Sequence, residues 1–391
     1  VYTPARYLDL HILQAVPAAN LNRDEFQDPK SITYGNAERT FVSSQAWKRP
    51  IRLAVEDELG EYAARTRTLA HVLADRLKDT DWPDTLADFA AAQVVLSAKK
   101  DGLKHEPDFR TKAMLYLPQA VLDDLAALCQ DNRAELEEAL ATHTAEAADD
   151  SKKKRKEPAP VLNSKQVAHH LTRRTASINL FGRMLAELSD GHVEAAVQMA
   201  PAFTVHRSAP QPDYFTAVED WPQPGDRGGA HLETAFLTAG VFYRFTTINI
   251  TELLNNLTRD AHPDTARDLI ELFTWHFIMA MPGSRKTATA PHTIPDLVHY
   301  TVRDARSISY SAAFEQPVQA DTRGGHLAPA LTTLTNYATA IDRLVGTRRR
   351  IAHGHATTGT PLNDPLGTHH PSFDDLTAAC ATAALTAHTP A

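Results

Sequence analysis

Two serines, a glutamine, a lysine and two arginines lie within ten residues: Ser43, Ser44, Gln45, Lys48, Arg49 and Arg52. The surrounding segment, 39–52, holds four cations and no carboxylate, although the whole chain has a net charge of −8. Serine hydroxyls accept the orphan N–H bonds at a helix start, so Ser43 and Ser44 suit an N-cap. Lys48 follows Ser44 by one helical turn and Arg52 follows Lys48 by another, which aligns the three on one face. Hydroxyls, free helix-start amides and a row of cations are the parts that hold a phosphate backbone. The plain alternative is a solvated basic helix face.

Other chemistry fails on spacing. Gly283-Ser284-Arg285-Lys286-Thr287 echoes the end of a phosphate loop, but the first glycine is absent and the second is not beside the lysine. Ser44 and Lys48 are four apart rather than three, and no G-x-S-x-G elbow exists. The 19 histidines include His169-His170, His353-Gly354-His355 and His369-His370, none with cysteine or carboxylate partners at zinc spacing. Surface or loop histidines are expected, with no metal site, no cofactor and no catalytic group.

The elements that must position segment 39–52 emerge from charge and periodicity. Residues 56–150 hold 21 acids and 10 Lys/Arg, a local charge of −11, so the remainder carries +3. Acid-free windows run over 39–55, 272–295 and 343–363. Residues 7–13 alternate Leu8, Leu10 and Ile12 with Asp9 and His11, the pattern of a half-buried strand. Phe41 and Val42 end a short strand. Apolar residues at helical spacing over 51–78 and 117–141 predict a helical insertion between about 51 and 148. It closes in 149–160, a lysine-rich, proline-ended segment expected to be a mobile surface loop. A strand, or a short helix plus strand, is expected within 191–205. The Pro/Gly-rich stretch 207–229 encloses Tyr214 and Phe215 and is too long for a casual connection. Residues 239–248 form an aromatic, β-branched strand, and Thr251 is the expected cap of the helix that follows. Beyond residue 356 there is little periodicity. The sum is an α+β sheet of the RNA-recognition kind. Two distant cysteines and the lack of an apolar leader suit a reducing cytoplasm. No apolar run approaches the roughly 20 residues of a membrane span.

Seven blocks in order carry a family resemblance. They are Asn20-Leu21-Asn22-Arg23-Asp24, segment 39–52, Gly182-Arg183-Met184, residues 215–220, residues 229–234, residues 238–244 and residues 282–286. Together the chain resembles the type I-E CRISPR Cascade backbone subunit, the CasC family. The resemblance implies a ferredoxin-like palm, a helical fingers insertion and a β-hairpin thumb. Here the palm would comprise 1–59, 161–205 and 234–391 with its tail, the fingers 60–160 and the thumb 206–233. It further implies several copies stacked head to tail along one crRNA, with other Cascade subunits, target DNA and a transiently recruited helicase-nuclease as partners. A heterologous, non-closing contact of this kind makes a filament.

The family's phosphate contacts fall on Lys30, Ser43, Gln45, Lys48 and Arg52, with Arg23 an addition. None reads a base, as a scaffold for arbitrary spacers requires. Its base wedge and thumb fall on Met184, Phe215, Thr216 and Leu232. Lys152, Lys153, Lys154 and Lys156 fit a patch for duplex DNA, against the alternative of a solvated loop. Pro50 departs from the family pattern and predicts a kink or helix restart, because it cannot donate to Ala46. The rival implied by a similar fold is a CRISPR RNA-processing endoribonuclease with His206 or His231 as general base.

Overall fold

A computed structural model of the chain describes residues 3–4, 6–149, 157–217, 221, 231–257 and 263–388. The chain divides into two compact units, one made of Val1–Val55 with Ala196–Ala391 and the other of Glu56–Ala195.

The first unit is built on a large sheet. Its strands are β1 (Tyr7–Ala19), β2 (Ser31–Tyr34), β3 (Ala37–Val42), β4 (Val197–Met199), β5 (Ala202–Thr204), β6 (Gln211–Ala217), β7 (His231–Asn249), β8 (Leu297–Arg303), β9 (Arg350–Thr357) and β10 (Thr368–His369). In space they run β10-β9-β8-β1-β7-β5-β3-β2, with β4 and β6 also paired to β7. The four central strands β1, β5, β7 and β8 therefore lie in the order 4-1-3-2. Every neighbour is antiparallel except β9 with β10. The β2–β3 hairpin turns at Gly35 and Asn36, both at positive φ, as a two-residue hairpin requires. A side chain at Gly35 would also collide with the Glu315 carbonyl.

β1 departs from the half-buried reading. It is 13 residues long, and Asp9 and His11 are as buried as Leu8, Leu10 and Ile12. One face is covered by Tyr310, Phe314 and the helix Leu327–Val345, the last through Ala330 and Leu334. Alternation in sequence marks two faces, and here both are covered. Several histidines go inside with it: His11, His206, His299 and His355 are buried rather than on the surface. The strand expected over 239–248 is present inside β7, but the following helix, Ile250–Leu257, is capped by Asn249, whose Oδ1 accepts the Glu252 N–H at 3.1 Å. The tail also folds. Helix Phe373–Leu385 buries Leu376 together with Cys380, Ala381 and Ala384, and the last three are small side chains that give little periodic signal.

The second unit has its own core, in which Leu73, Val94, Val95, Leu125 and Val167 meet from helices Leu69–Lys78, Asp84–Ser97, Val121–Asp131 and Ser164–Thr172. Leu162, Leu171, Leu185 and Leu188 belong to that core as well. Residues 161–195, expected in the palm, are thus part of this unit because their leucines are buried there. The helical run expected over 51–78 is interrupted: Gly60 takes φ +65°, and Ala63–Thr66 forms a strand paired with Leu115–Pro118. The segment Lys152, Lys153, Lys154 and Lys156 lies outside the described residues.

Candidate nucleic-acid interface

Helix α1 (Ser44–Leu59) starts where β3 ends. Ser43 is the residue before it, and its Oγ accepts the Ala46 N–H at 3.3 Å. The preceding turn is tied to the same point, because Asn22 Oδ1 accepts the Ser43 N–H at 2.9 Å. Lys30 N donates to the Asn22 carbonyl at 2.9 Å, and the Lys30 carbonyl accepts from Phe41 N at 2.8 Å. Asp24 Oδ1 closes the turn by accepting from Phe26 and Asp28 at 2.8 and 2.9 Å. Short-range bonds thus bring Asn22, Arg23, Lys30, Ser43 and the first turn of α1 into one strip. Asn22 is a positioning residue that spacing alone does not single out.

Beneath the strip, Leu21, Val42, Trp47, Ala202 and Phe242 pack together. Arg244 lies over the Trp47 ring at 3.9 Å. Its guanidinium also donates to Gln14 Oε1 at 2.7 Å and to the Phe277 carbonyl. Burial lowers Arg244 to about 9. Arg39, one of the four cations of the segment, is equally internal. It donates to the carbonyls of Thr204, Phe314 and Glu315 and is not available to a ligand.

The remaining cations differ. Lys48 is half-buried, and no hydrogen bond or ion pair holds its amine among the described residues; desolvation lowers its pKa below the usual lysine range. A partly desolvated ammonium without a carboxylate gains from an incoming anion. Lys30 is half-buried and Gln45 exposed on the same strip, and Arg23 reaches Gln27 Oε1. Arg52, half-buried, lies two turns along α1 from Ser44. The helix continues through Pro50 without the expected restart. Flanking side chains, with Trp47 and Ile51 fully packed, hold both turns in place.

Over the segment expected as a thumb, β6 and β7 form an antiparallel pair in whose register Thr216 lies opposite Leu232 and Phe215 opposite Glu233. Tyr214 and Phe215 are 64% and 38% exposed, so neither is a core residue. Met184, in the second unit, is 84% exposed, which removes core packing as its explanation. His206 cannot act as a base. Its Nδ1 bonds the Arg207 carbonyl, its Nε2 accepts from Val241 N at 3.2 Å, and the ring stacks on His326 at 3.9 Å. His231's side chain lies outside the described residues. Among the described residues there is no cluster of metal-ligating side chains, and no helix is long and apolar enough to cross a membrane.

The family described as CT1975-like protein matches residues 8–379, nearly the whole chain. The chain belongs to that family. It is similar to a chain of a CRISPR RNA-guided surveillance complex in a pre-nicking state, with 39% identity, TM-score 0.86, and coverage of 97% of this chain and 100% of that one. A second such complex contains a chain with 35% identity and TM-score 0.75, covering 96% and 99%. A search of curated proteins returns no match. As a member of the CT1975-like family, the protein shares a mixed α+β architecture with these chains of CRISPR RNA-guided surveillance complexes.

Proposed function

We propose that the protein is a non-catalytic backbone subunit of a type I-E CRISPR surveillance complex. The observation that carries this reading is the partly desolvated Lys48 at the capped start of α1, unpaired among the described residues, in a chain similar along nearly its whole length to a chain of a CRISPR RNA-guided surveillance complex. In it, Arg23, Lys30, Ser43, Gln45, Lys48 and Arg52 hold the ribose-phosphate chain of a crRNA and leave its bases free for pairing. The sheet order 4-1-3-2 supports a ferredoxin-like palm, the second unit a set of helical fingers, and the β6–β7 hairpin a thumb. Met184, Phe215, Thr216 and Leu232 act as the wedge and thumb that set a nucleotide apart at intervals, at a cost of a few kcal/mol of unstacking. Lys152, Lys153, Lys154 and Lys156 give sequence-blind, salt-sensitive contact with duplex DNA. Copies stack head to tail in the cytoplasm with other Cascade subunits, pair the guide with target DNA and recruit a helicase-nuclease. The endoribonuclease alternative loses His206, whose ring nitrogens are both occupied.

The test is the absorbance ratio at the nucleic-acid and protein maxima of the complex purified from its host. A nucleic-acid-rich ratio that disappears on ribonuclease treatment is expected. A protein-only ratio contradicts the reading, and guide-precursor cleavage abolished by His231→Ala contradicts its non-catalytic part.

A further inference from the structure

We infer that the loop 282–290 is a second contact for the ribose-phosphate backbone, made by Ser284, Arg285 and Lys286 beside the α1 strip. The inference rests on the RNA-scaffold reading and adds a site to it.

The loop leaves the helix Pro263–Met279, whose final carbonyls are held by Arg244, the same guanidinium that covers Trp47 of α1. Met281 packs against the cluster that includes Trp47 and Leu21. On its far side the loop is fastened to β1, where Gln14 Nε2 donates to the Thr293 carbonyl at 2.7 Å and Asp296 Oδ2 accepts from Ala15 N at 2.7 Å. One flank of the loop is therefore fixed to the cluster beneath α1 and the other to the middle of β1.

No carboxylate occurs between residues 272 and 295, and the first one beyond, Asp296, is occupied by Ala15 N. Lys286 is exposed and Arg285 half-buried, and no ion pair neutralises either among the described residues. Ser284 Oγ and Arg285 Nε are shielded from solvent without a hydrogen-bond partner there. Buried polar atoms are ordinarily satisfied, so two such atoms on adjacent residues mark a place where an acceptor is missing. Arg285 is also held at φ +45°, an uncommon conformation for a non-glycine residue and one found disproportionately at binding sites. A hydroxyl, a guanidinium and an ammonium in succession present donors only once the serine hydrogen is turned outward, and a phosphodiester supplies acceptors only. These groups do not read bases, so the contact is indifferent to sequence.

The experiment measures binding of a mixed-sequence single-stranded RNA to the full chain over a range of salt. The variants are Arg285→Asn with Lys286→Gln, asparagine being chosen because it tolerates the left-handed backbone, and Lys48→Ala as reference. Each lost phosphate contact lowers the log–log salt slope by about 0.7. The double variant is expected to lower it by about 1.4, equally for two unrelated sequences, with an unchanged thermal midpoint. A wild-type slope in the double variant beside a lowered slope in Lys48→Ala overturns this inference alone. A slope change that appears only once a complementary DNA strand is paired also overturns it. No RNA binding by the wild type overturns the scaffold reading beneath it.

Discussion

In the second unit Arg67, Arg76, Lys78, Lys99, Arg133 and Arg173 each lie within ion-pair reach of a carboxylate: Glu106, Asp123, Asp88, Glu187, Glu137 and Asp124. At the basic end of the first unit, Lys30, Lys48, Arg49 and Lys286 have no such partner among the described residues. Exposed pairs of the first kind contribute roughly 0–1 kcal/mol each, so they are not what holds the helical unit together. Their effect is to neutralise those six cations within the unit. In the strip around α1, Lys30, Lys48 and Arg49 lack a carboxylate among the described residues, which leaves them open to an incoming anion. The same contrast recurs in the cores. The second unit packs aliphatic side chains around Leu73 and Val94, whereas the sheet of the first encloses Asp9, His11, His299 and Arg303.

The largest expected effect separates framework from ligand site. Trp47→Ala removes a fully packed ring from beneath Arg244 and is expected to destabilise the first unit by about 3–5 kcal/mol. Denaturant unfolding measures it. The second unit, with its separate core, is expected to keep its own transition. A variant as stable as wild type would show that the strip does not rest on this cluster.

Acid sharpens the comparison of cores. His299 is pushed down to about 3 and His353 to about 4, while His11 is held well below the usual histidine range; burial is the main cause in each. These rings are neutral when folded, whereas the unfolded chain takes up their protons near about pH 6.5. Their contribution is complete above that value and is lost as the pH falls toward the folded values. Asp9, raised by burial, has the opposite sign and offsets part of the loss. Amide exchange between about pH 7 and about pH 4 should therefore show the sheet of the first unit losing protection before the helices of the second. The reverse order would contradict the account.

The smallest effect belongs to the neutralised cations. Lys78→Ala is expected to shift stability by under about 1 kcal/mol and to leave the salt slope of RNA binding unchanged. A lowered slope would mean that the helical unit also contributes cations to the RNA.

What could be read from sequence follows from range. The capped start of α1, the strand within β7, the electrical division of the chain and the helical character of the insertion are local patterns, and each was legible. Arg39 was not, because only the arrival of residues 204, 314 and 315 shows that its guanidinium is internal. Asp9 and His11 looked solvent-facing for the same reason: Ile308, which donates to Asp9, and Tyr310, which stacks on His11, lie about 300 residues away in the chain. Pro50 suggested a break because propensity speaks for an isolated helix, whereas here Trp47 and Ile51 are packed on either side of it. The alanine- and threonine-rich tail gave no period, since small side chains can be buried on a helix without a strong apolar stripe. In the candidate site, the cap at Ser43 and the row Ser44, Lys48 and Arg52 on α1 were legible as types and spacing. The Arg244–Trp47 contact and the tether of loop 282–290 were not, because both join segments about 200 or more residues apart.

The central claim is that cations at the start of α1 are kept for an RNA backbone. The most direct measurement is the salt dependence of single-stranded RNA binding by wild type and Lys48→Ala, each with two unrelated sequences. The account predicts that Lys48→Ala lowers the log–log slope by about 0.7 and weakens both RNAs alike. An unchanged slope, or a loss confined to one sequence, would contradict it.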